Sequence, residues 1–464
     1  MGNELFTGRD MALMPLYIVA VLFIARAVKQ RNIASQPIYK YYVRGMMMKV
    51  FGAVGLCFIY VFYYGGGDTT GFYESSLLLS KLVAYSPDAF FSVLAGDLSY
   101  ENLGEFAKYG LCCPDYYRDP QSFAVVRIAG VLNYLGFFSY FTTSILFAAM
   151  AYGGAWRLFM LFNELYPGLE KKFAIAILYM PSVLFWGSGI LKDTITFSAA
   201  CWLAYSVYNV FIKKHKRVKF TAVLLLSSYI LILIKPYIFV AMLPGSAIWI
   251  SFVRVSRIRS TAIRLMIAPA IVAIGLVISS TIMGAFSSDL GAFASIDTAL
   301  DKAVVTKNDL TRDVYGKNSF NIGEFDGSIG GALSKFPQAV MAGLYRPFLW
   351  EAGSVVILVA ALENTLLLLL TIRAFARAGV GGFISRVTAE PLLLFSLVFT
   401  IFFAFSVGLS TSNFGALVRY KIPCVPFFMS SLFILDSRRK EVRLLDEEEE
   451  SNAEFSLSGR PYET

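Results

Sequence analysis

An all-helical, polytopic transmembrane bundle is the fold class this sequence predicts, and three observations predict it. Hydrophobic residues make up 57% of the 464 positions and charged residues 16%, with a mean hydropathy of +0.62, a balance that a water-soluble fold does not carry. The apolar residues are gathered into long, nearly unbroken runs such as 222–234 and 392–405, whereas a membrane strand barrel shows segments of about ten residues with alternating polarity. Lys and Arg fall largely in the short connections between those runs, as they do in multi-span helical proteins.

A span takes about 20 apolar residues, and the chain reads as about eleven spans, within a range of roughly ten to thirteen. They lie at 12–28, 48–64, 138–163, 172–190, 194–212, 220–234, 237–253, 262–284, 353–373, 391–409 and 421–436. The first is preceded by Glu4 and Asp10, with only Arg9 basic, and has no evident small-residue cleavage site, so it reads as a retained helix and not a signal peptide. Residues 1–436 thus read as one transmembrane domain. From Asp436 onward, and chiefly over 437–464 with Asp446 and Glu447 to Glu450, the chain reads as an acidic, disordered cytoplasmic tail.

Orientation follows from the basic connections, because short Lys- and Arg-rich loops stay cytoplasmic. Arg26 to Lys49, Lys171 with Lys172, Lys213 to Arg217, Arg254 to Arg264, Arg373 to Arg386 and Arg438 to Lys440 all fall on one face of the predicted topology. The N-terminus is then outside and the C-terminus inside. The net charge of +9 is mostly this topology signal together with contact to lipid headgroups, and no soluble nucleic-acid module is present.

Two long connections, 65–137 and 285–352, lie on the outer face. The first holds amphipathic runs, notably Leu77, Leu78 and Leu79 with Lys81, Leu82 and Val83, suited to helices in the interface. The second is rich in Asn, Asp, Gly and Lys from Asp297 to Gly331 and reads as a mobile polar loop.

Cys57, Cys201 and Cys424 sit in or beside spans, and Cys112 and Cys113 are adjacent in the first outer connection. No CxxC pair or His partner points to a metal. His215 is the sole histidine and falls on the inner face, which excludes a Ser-His-Asp triad or His-ligated zinc outside.

The chemically informative residues are charges that break the orientation rule. Asp68 closes the run Gly65-Gly66-Gly67-Asp68 directly after a span, and Glu74 follows six residues later. Arg127, Lys192, Lys235, Arg346, Arg419 and Lys421 all fall near the outer ends of spans. Ionisable groups near hydrocarbon are costly and face a cavity or a partner, so six from separate parts of the chain at one depth predict a convergent cationic site. Trp186 to Asp193 and Lys235-Pro236-Tyr237 are tight turns between spans; Arg346-Pro347 and Arg419-Tyr420-Lys421-Ile422-Pro423 enter others. Such a site suits a lipid phosphate or diphosphate. Singly, each cation also has a local explanation, such as Lys192 with Asp193 or Arg346 with Glu351.

Tyr116, Tyr117, Tyr134, Phe137, Phe138 and Tyr140 read as an interfacial aromatic belt before they read as sugar-stacking surfaces. Glu363 and Asn364, inside a predicted span, read as interhelical hydrogen-bonding groups.

The Gly-rich turn ending in Asp68, the amphipathic runs that follow it and the Arg419-Tyr420-Lys421-Ile422-Pro423 entry to a late span resemble the GT-C superfamily of membrane glycosyltransferases. The resemblance covers the layout and about three short motifs. It implies a bacterial inner-membrane protein that takes a sugar from a polyprenyl-phosphate donor and passes it to a glycan, lipid or protein acceptor outside. It further implies Asp68 as general base, with Glu74 as the second carboxylate, and Lys192, Lys235, Arg346 and Arg419 on the lipid phosphate, joined by Arg127 and Lys421 from the charge pattern. Asp68 follows the second span, so one extra N-terminal helix is assumed; it is followed by Thr69 where many relatives have adjacent Asp-Glu, and no second acidic pair in the later loop matches the family, so the requirement for a divalent metal is left open.

Three other classes compete, one of them a non-enzymatic membrane scaffold, in which the outer cations would be dispensable one by one. A polysaccharide polymerase or ligase would rely on Arg346 and Arg419 more than on Asp68. A transporter or flippase would need charge along a path through the membrane, and the inner halves of the spans are nearly devoid of it.

Overall fold

The computed structural model describes residues 5–255, 281, 295–310 and 318–437. The expected run 262–284 (Thr281 apart), Glu4 and nearly all of the acidic 437–464 segment lie outside the described residues, as do Arg257, Arg259 and Arg264. Among the described residues the chain forms helices and no strands, with one isolated antiparallel bridge between Ser319 and Asn413.

Seven helices among the described residues are long and apolar enough to cross a membrane: Gly8–Asn32, Pro37–Tyr63, Tyr140–Leu165, Lys192–Ile212, Arg217–Ile234, Val355–Ala389 and Pro391–Ser410. An eighth span arises if Phe414–Tyr420 and Val425–Ser437, bent by 68° at their junction, count as one. This is the architecture of a multi-pass helical membrane protein, with eight of the expected eleven runs accounted for. Pro236–Phe252 is apolar but shorter. The expected span 172–190 is instead broken into Glu170–Phe173, a π-turn at Ala174–Leu178 and Pro181–Trp186. Pro181 supplies no amide hydrogen and ends the preceding turn, and the pieces remain in the bundle because other helices surround them.

The 65–137 segment is helical at Asp68–Leu82, Pro87–Ala95, Tyr100–Lys108 and Pro120–Leu135. Asp68–Leu82 does not simply lie on a surface. It buries Phe72, Tyr73, Leu79 and Leu82 and packs on Pro120–Leu135. A polar seam joins them: Asn133 Nδ2 donates to Ser76 Oγ at 2.9 Å and Ser80 Oγ at 3.2 Å, while Thr143 Oγ1 donates to Asn133 Oδ1 at 3.0 Å. Buried hydroxyls and amides satisfied this way fix register without unpaired polar groups. Cys112 and Cys113, nearby, are joined to each other.

The second long connection also departs from expectation. Ile296–Asp309, Ile329–Ser334 and Phe336–Tyr345 are helices. Ser295 caps the first, accepting from Thr298 N at 3.1 Å while its own N donates to Thr298 Oγ1 at 3.0 Å, a reciprocal arrangement that starts helices.

The two ends of the bundle carry different charge. Arg373 Nε donates to Asp436 Oδ1 at 2.9 Å, Arg377 also binds that carboxylate and Lys172 lies 3.8 Å from it. Asp436 is therefore part of the folded bundle and not of a tail. Lys49, read as the last residue of a basic loop, is buried inside the bundle, where its Nζ donates to Val183 O at 3.3 Å and lies 5.1 Å from the Phe197 ring.

Candidate functional site

At the opposite end from Asp436, four charged side chains meet, three from helices and one, Lys235, from the break between two helices. Asp193 stands in the first turn of Lys192–Val207, where a carboxylate complements the helix dipole, and its side chain is 0% exposed. Its Oδ1 accepts from Lys235 Nζ, and its Oδ2 accepts from Arg419 Nε at 2.6 Å. A second nitrogen of Arg419, Nη1, donates to Asp68 Oδ2. The order is thus Lys235, Asp193, Arg419, Asp68, running from a closed interior to a carboxylate whose side chain is 45% exposed.

The backbone explains each position. Gly65, Gly66 and Gly67 have φ of 69°, 135° and 141°, a path open to glycine and few other residues. A Cβ on Gly67 would also come within 2.8 Å of Tyr60 Cε1. Gly67 caps the next helix, with Thr70 Oγ1 accepting from its amide at 3.0 Å, so Asp68 is the first helical residue and its carboxylate is free of capping duty. Gly189 lets the 187–191 turn tuck under this helix, since a Cβ there would meet Leu56 Cδ2 at 2.3 Å and Thr69 Cγ2 at 3.6 Å. Pro236 forces Lys235 out of helical geometry and starts the next helix, which turns Lys235 inward. Asn413 caps Phe414–Tyr420, accepting from Gly415 N at 2.9 Å, and Arg419 projects from the end of that short helix.

Lys192 adjoins this group but pairs differently from the sequence expectation. Its Nζ donates to Ser122 Oγ at 2.9 Å and lies 3.9 Å from Asp119 Oδ2, not against Asp193. It remains 24% exposed. Lys192 and Lys235 both line a cavity of about 430 Å³ whose other walls are mostly apolar: Ile234, Val240, Leu300, Phe402, Phe405 and Leu409 contribute. The Ile296–Asp309 helix forms one side of it through Ile296, Ala299, Leu300 and Ala303. A volume in this range holds a small ligand or part of a larger one. Tyr420 stacks under Lys235, whose Nζ is 4.5 Å from the ring centroid.

Tyr116 stands beside Asp68 on the exposed side. It stacks on Phe72 at 4.5 Å between centroids, and Gly71 gives its hydroxyl room. Burial, with the charges of Asp68 and Asp115, pushes its phenol up to about 12, so it serves as a neutral hydrogen-bonding group at ordinary pH.

The remaining expected site residues are engaged elsewhere. Arg346 is held by Glu351, with Nε donating at 3.0 and 3.2 Å, and its guanidinium lies 4.5 Å from the Phe320 ring. Lys421 is buried, donating to Leu344 O at 3.3 Å, Arg346 O at 3.1 Å and Asn364 Oδ1. Arg127 lies against Gly96, and burial lowers its pKa from the usual arginine range. Glu74 is on the same helix as Asp68 but six residues on, roughly 120° round the axis, and so faces another side. Glu363 accepts from Ser182 N at 2.9 Å and from its hydroxyl, and Asn364 Nδ2 donates to Pro347 O at 3.2 Å, both interhelical ties. His215 is exposed. The six cations therefore do not converge as a set; three of them do, with three carboxylates.

Asp193 is the residue the sequence reading passed over. It was visible only as the neighbour of Lys192, and adjacent residues on a helix point about 100° apart. Among the described residues no cluster of three or more His, Cys, Asp or Glu side chains is placed to hold a metal. Arg419 fills the space between the Asp68 and Asp193 carboxylates with positive charge, so these two do not form a dication site. No family model matches the chain, and no curated protein or solved structure is significantly similar to it.

Proposed function

We propose that this protein is a membrane glycosyltransferase of GT-C type, moving a sugar from a polyprenyl-phosphate donor to an acceptor on the extracytoplasmic face of a bacterial inner membrane. The observation that carries the reading is the ion-pair chain that links the half-exposed Asp68 carboxylate, through Arg419 and Asp193, to Lys235 in the wall of an apolar cavity that Lys192 also lines. An amphiphile with an anionic head fits that pairing of surfaces: chain against Phe402, Phe405 and Leu300, phosphate toward the ammonium groups.

In the reaction, Asp68 takes the proton of an acceptor hydroxyl as its oxygen attacks the anomeric carbon. The bond from that carbon to the phosphate oxygen breaks, the phosphate leaves with the electron pair, and Lys192 and Lys235 offset the charge that develops on it. A single displacement inverts the anomeric centre. Arg419 is a positioning residue: it holds Asp68 through one nitrogen and is itself fixed by Asp193 through another.

Lipid extracts from cells lacking the gene, complemented with the unaltered protein or Asp68→Asn at matched abundance, test this by mass spectrometry. A polyprenyl-linked sugar should accumulate in the deletion and be cleared by the unaltered protein alone. An unchanged lipid profile, or full rescue by Asp68→Asn, sinks the reading.

One observation favours a polymerase or ligase as the second reading. Asp68 is bound by Arg419, which spans the two carboxylates of the relay. Under that reading Arg419→Lys abolishes product and Asp68→Asn leaves much of it.

A further inference from the structure

A second cavity, of about 690 Å³, lies at the end of the Pro37–Tyr63 span away from Asp68. At 1.5 Å per residue that span separates the two by roughly 40 Å. Arg26, Lys29, Lys40, Arg44 and Lys171 line it, and among the described residues no carboxylate does. These cations come from separate elements: the last turns of Gly8–Asn32, the Pro37–Tyr41 turn, the start of Tyr42–Phe58 and the short Glu170–Phe173 helix. The nearest acid in sequence, Glu170, is turned to the backbone, where its Oε1 accepts from Gly168 N at 3.1 Å.

A helix C-terminus carries about half a negative charge, so the Gly8–Asn32 dipole offsets little of five positive ones. Elsewhere at this end Arg373, Arg377 and Lys172 share Asp436, and Lys213 takes Glu164. Retention of charge toward one side of a membrane needs neither a cavity nor convergence. A lipid phosphodiester carries a single negative charge, which leaves most of the five cations without a counter-charge. Basic pockets between span ends are where phosphorylated headgroups bind.

We infer that this cavity is a binding site for an anion bearing two or more phosphates, separate from the Asp68 site and independent of the transfer reading. The shared chemistry is a diphosphate-like charge pair, carried either by a lipid headgroup or by a soluble diphosphate.

The test is native mass spectrometry and titration of the full chain in nanodiscs. The probes are cardiolipin (two phosphates), phosphatidylglycerol (one) and inorganic pyrophosphate. The variant Lys40→Ala/Arg44→Ala/Lys171→Ala removes three charges from the cavity. The variant Lys214→Ala/Arg217→Ala/Lys219→Ala removes as many from a neighbouring loop. All six residues are exposed, so both variants should fold.

The site predicts one saturable cardiolipin per chain, weakened roughly 100-fold by the cavity variant at about 1 kcal/mol per cation and unaffected by the loop variant. If pyrophosphate binds with the same variant dependence and excludes cardiolipin, the source is soluble and the site stands. If pyrophosphate does not bind while cardiolipin does, the source is the lipid. Equal loss in both variants, no loss in either, or phosphatidylglycerol held as tightly as cardiolipin overturns the inference.

Discussion

Arg419 and Lys421 lie two residues apart at the entry to one helix, both cationic and both removed from water, yet they are accommodated in opposite ways. Arg419 is bound by two carboxylates, Asp193 and Asp68, the second of them open to solvent. Lys421 is bound by two backbone carbonyls and the Asn364 amide oxygen, all interior. The same burial produces a relay that opens to solvent in one case and a fastening between helices in the other. What distinguishes the two is the partner at the far end, not the cation or its depth.

The largest effect expected from breaking this contrast is on Asp193. Asp193→Ala leaves Lys235 and Arg419 buried without their shared carboxylate, and removing one partner of a buried pair costs about 3–5 kcal/mol. Thermal unfolding in detergent should show a large drop in Tm. A wild-type Tm would mean the relay is not a buried ion pair at all.

Arg419→Lys comes next and separates charge from geometry. Lysine keeps the charge but offers one ammonium where the guanidinium reaches Asp193 and Asp68 through different nitrogens. Clearance of the lipid-linked sugar should fall by about 10- to 100-fold with a smaller change in Tm than Asp193→Ala gives. Equal losses in both measurements would make Arg419 a structural residue.

Lys421→Met should do the reverse. Leaving Asn364 and the carbonyls of Leu344 and Arg346 unfilled costs about 1–3 kcal/mol, with sugar clearance per folded molecule unchanged. Selective loss of clearance would move Lys421 into the site.

The smallest effect belongs to Arg346→Lys. Its ion pair with Glu351 is part-exposed, the Arg side chain 23%, so the cost is about 1 kcal/mol or less. A Tm shift as large as that of Lys421→Met would show that the Phe320 and Phe414 contacts carry the position.

The contrast also marks what the sequence made legible. Spans were readable because hydrocarbon length and hydropathy act locally: eight of the eleven expected runs are long apolar helices or the bent pair. Residues 172–190 were not, because their composition is apolar throughout while Pro181 and the glycines at 187 and 189 set the path. Asp68, Lys192, Lys235 and Arg419 stood out as charges at span ends and do meet. Arg346 and Lys421 stood out for the same reason; the pairing of Arg346 with Glu351 was legible five residues away, whereas Asn364, the partner of Lys421, is one that only the fold selects.

The Ile296–Asp309 helix was hidden by its polar average. Its apolar residues at 296, 299, 300 and 303 keep helical spacing, and the Ser295 and Thr298 pair marks its start. Read with that spacing, the segment is a cavity wall and not a loop. Lys49 was misread because a lysine next to a basic loop looks like the end of the loop, and its burial depends on Val183 and Phe197 from distant helices.

The most direct test of the central claim sets Asp68 against Lys421 in one strain. Cells lacking the gene are given Asp68→Asn or Lys421→Met at matched abundance, and the pool of polyprenyl-linked sugar is measured in each. A pool that stays high with Asp68→Asn and is cleared with Lys421→Met is the predicted result. A pool cleared by both variants, or one that persists with Lys421→Met and not with Asp68→Asn, contradicts the assignment of chemistry to the Asp68 end of the relay.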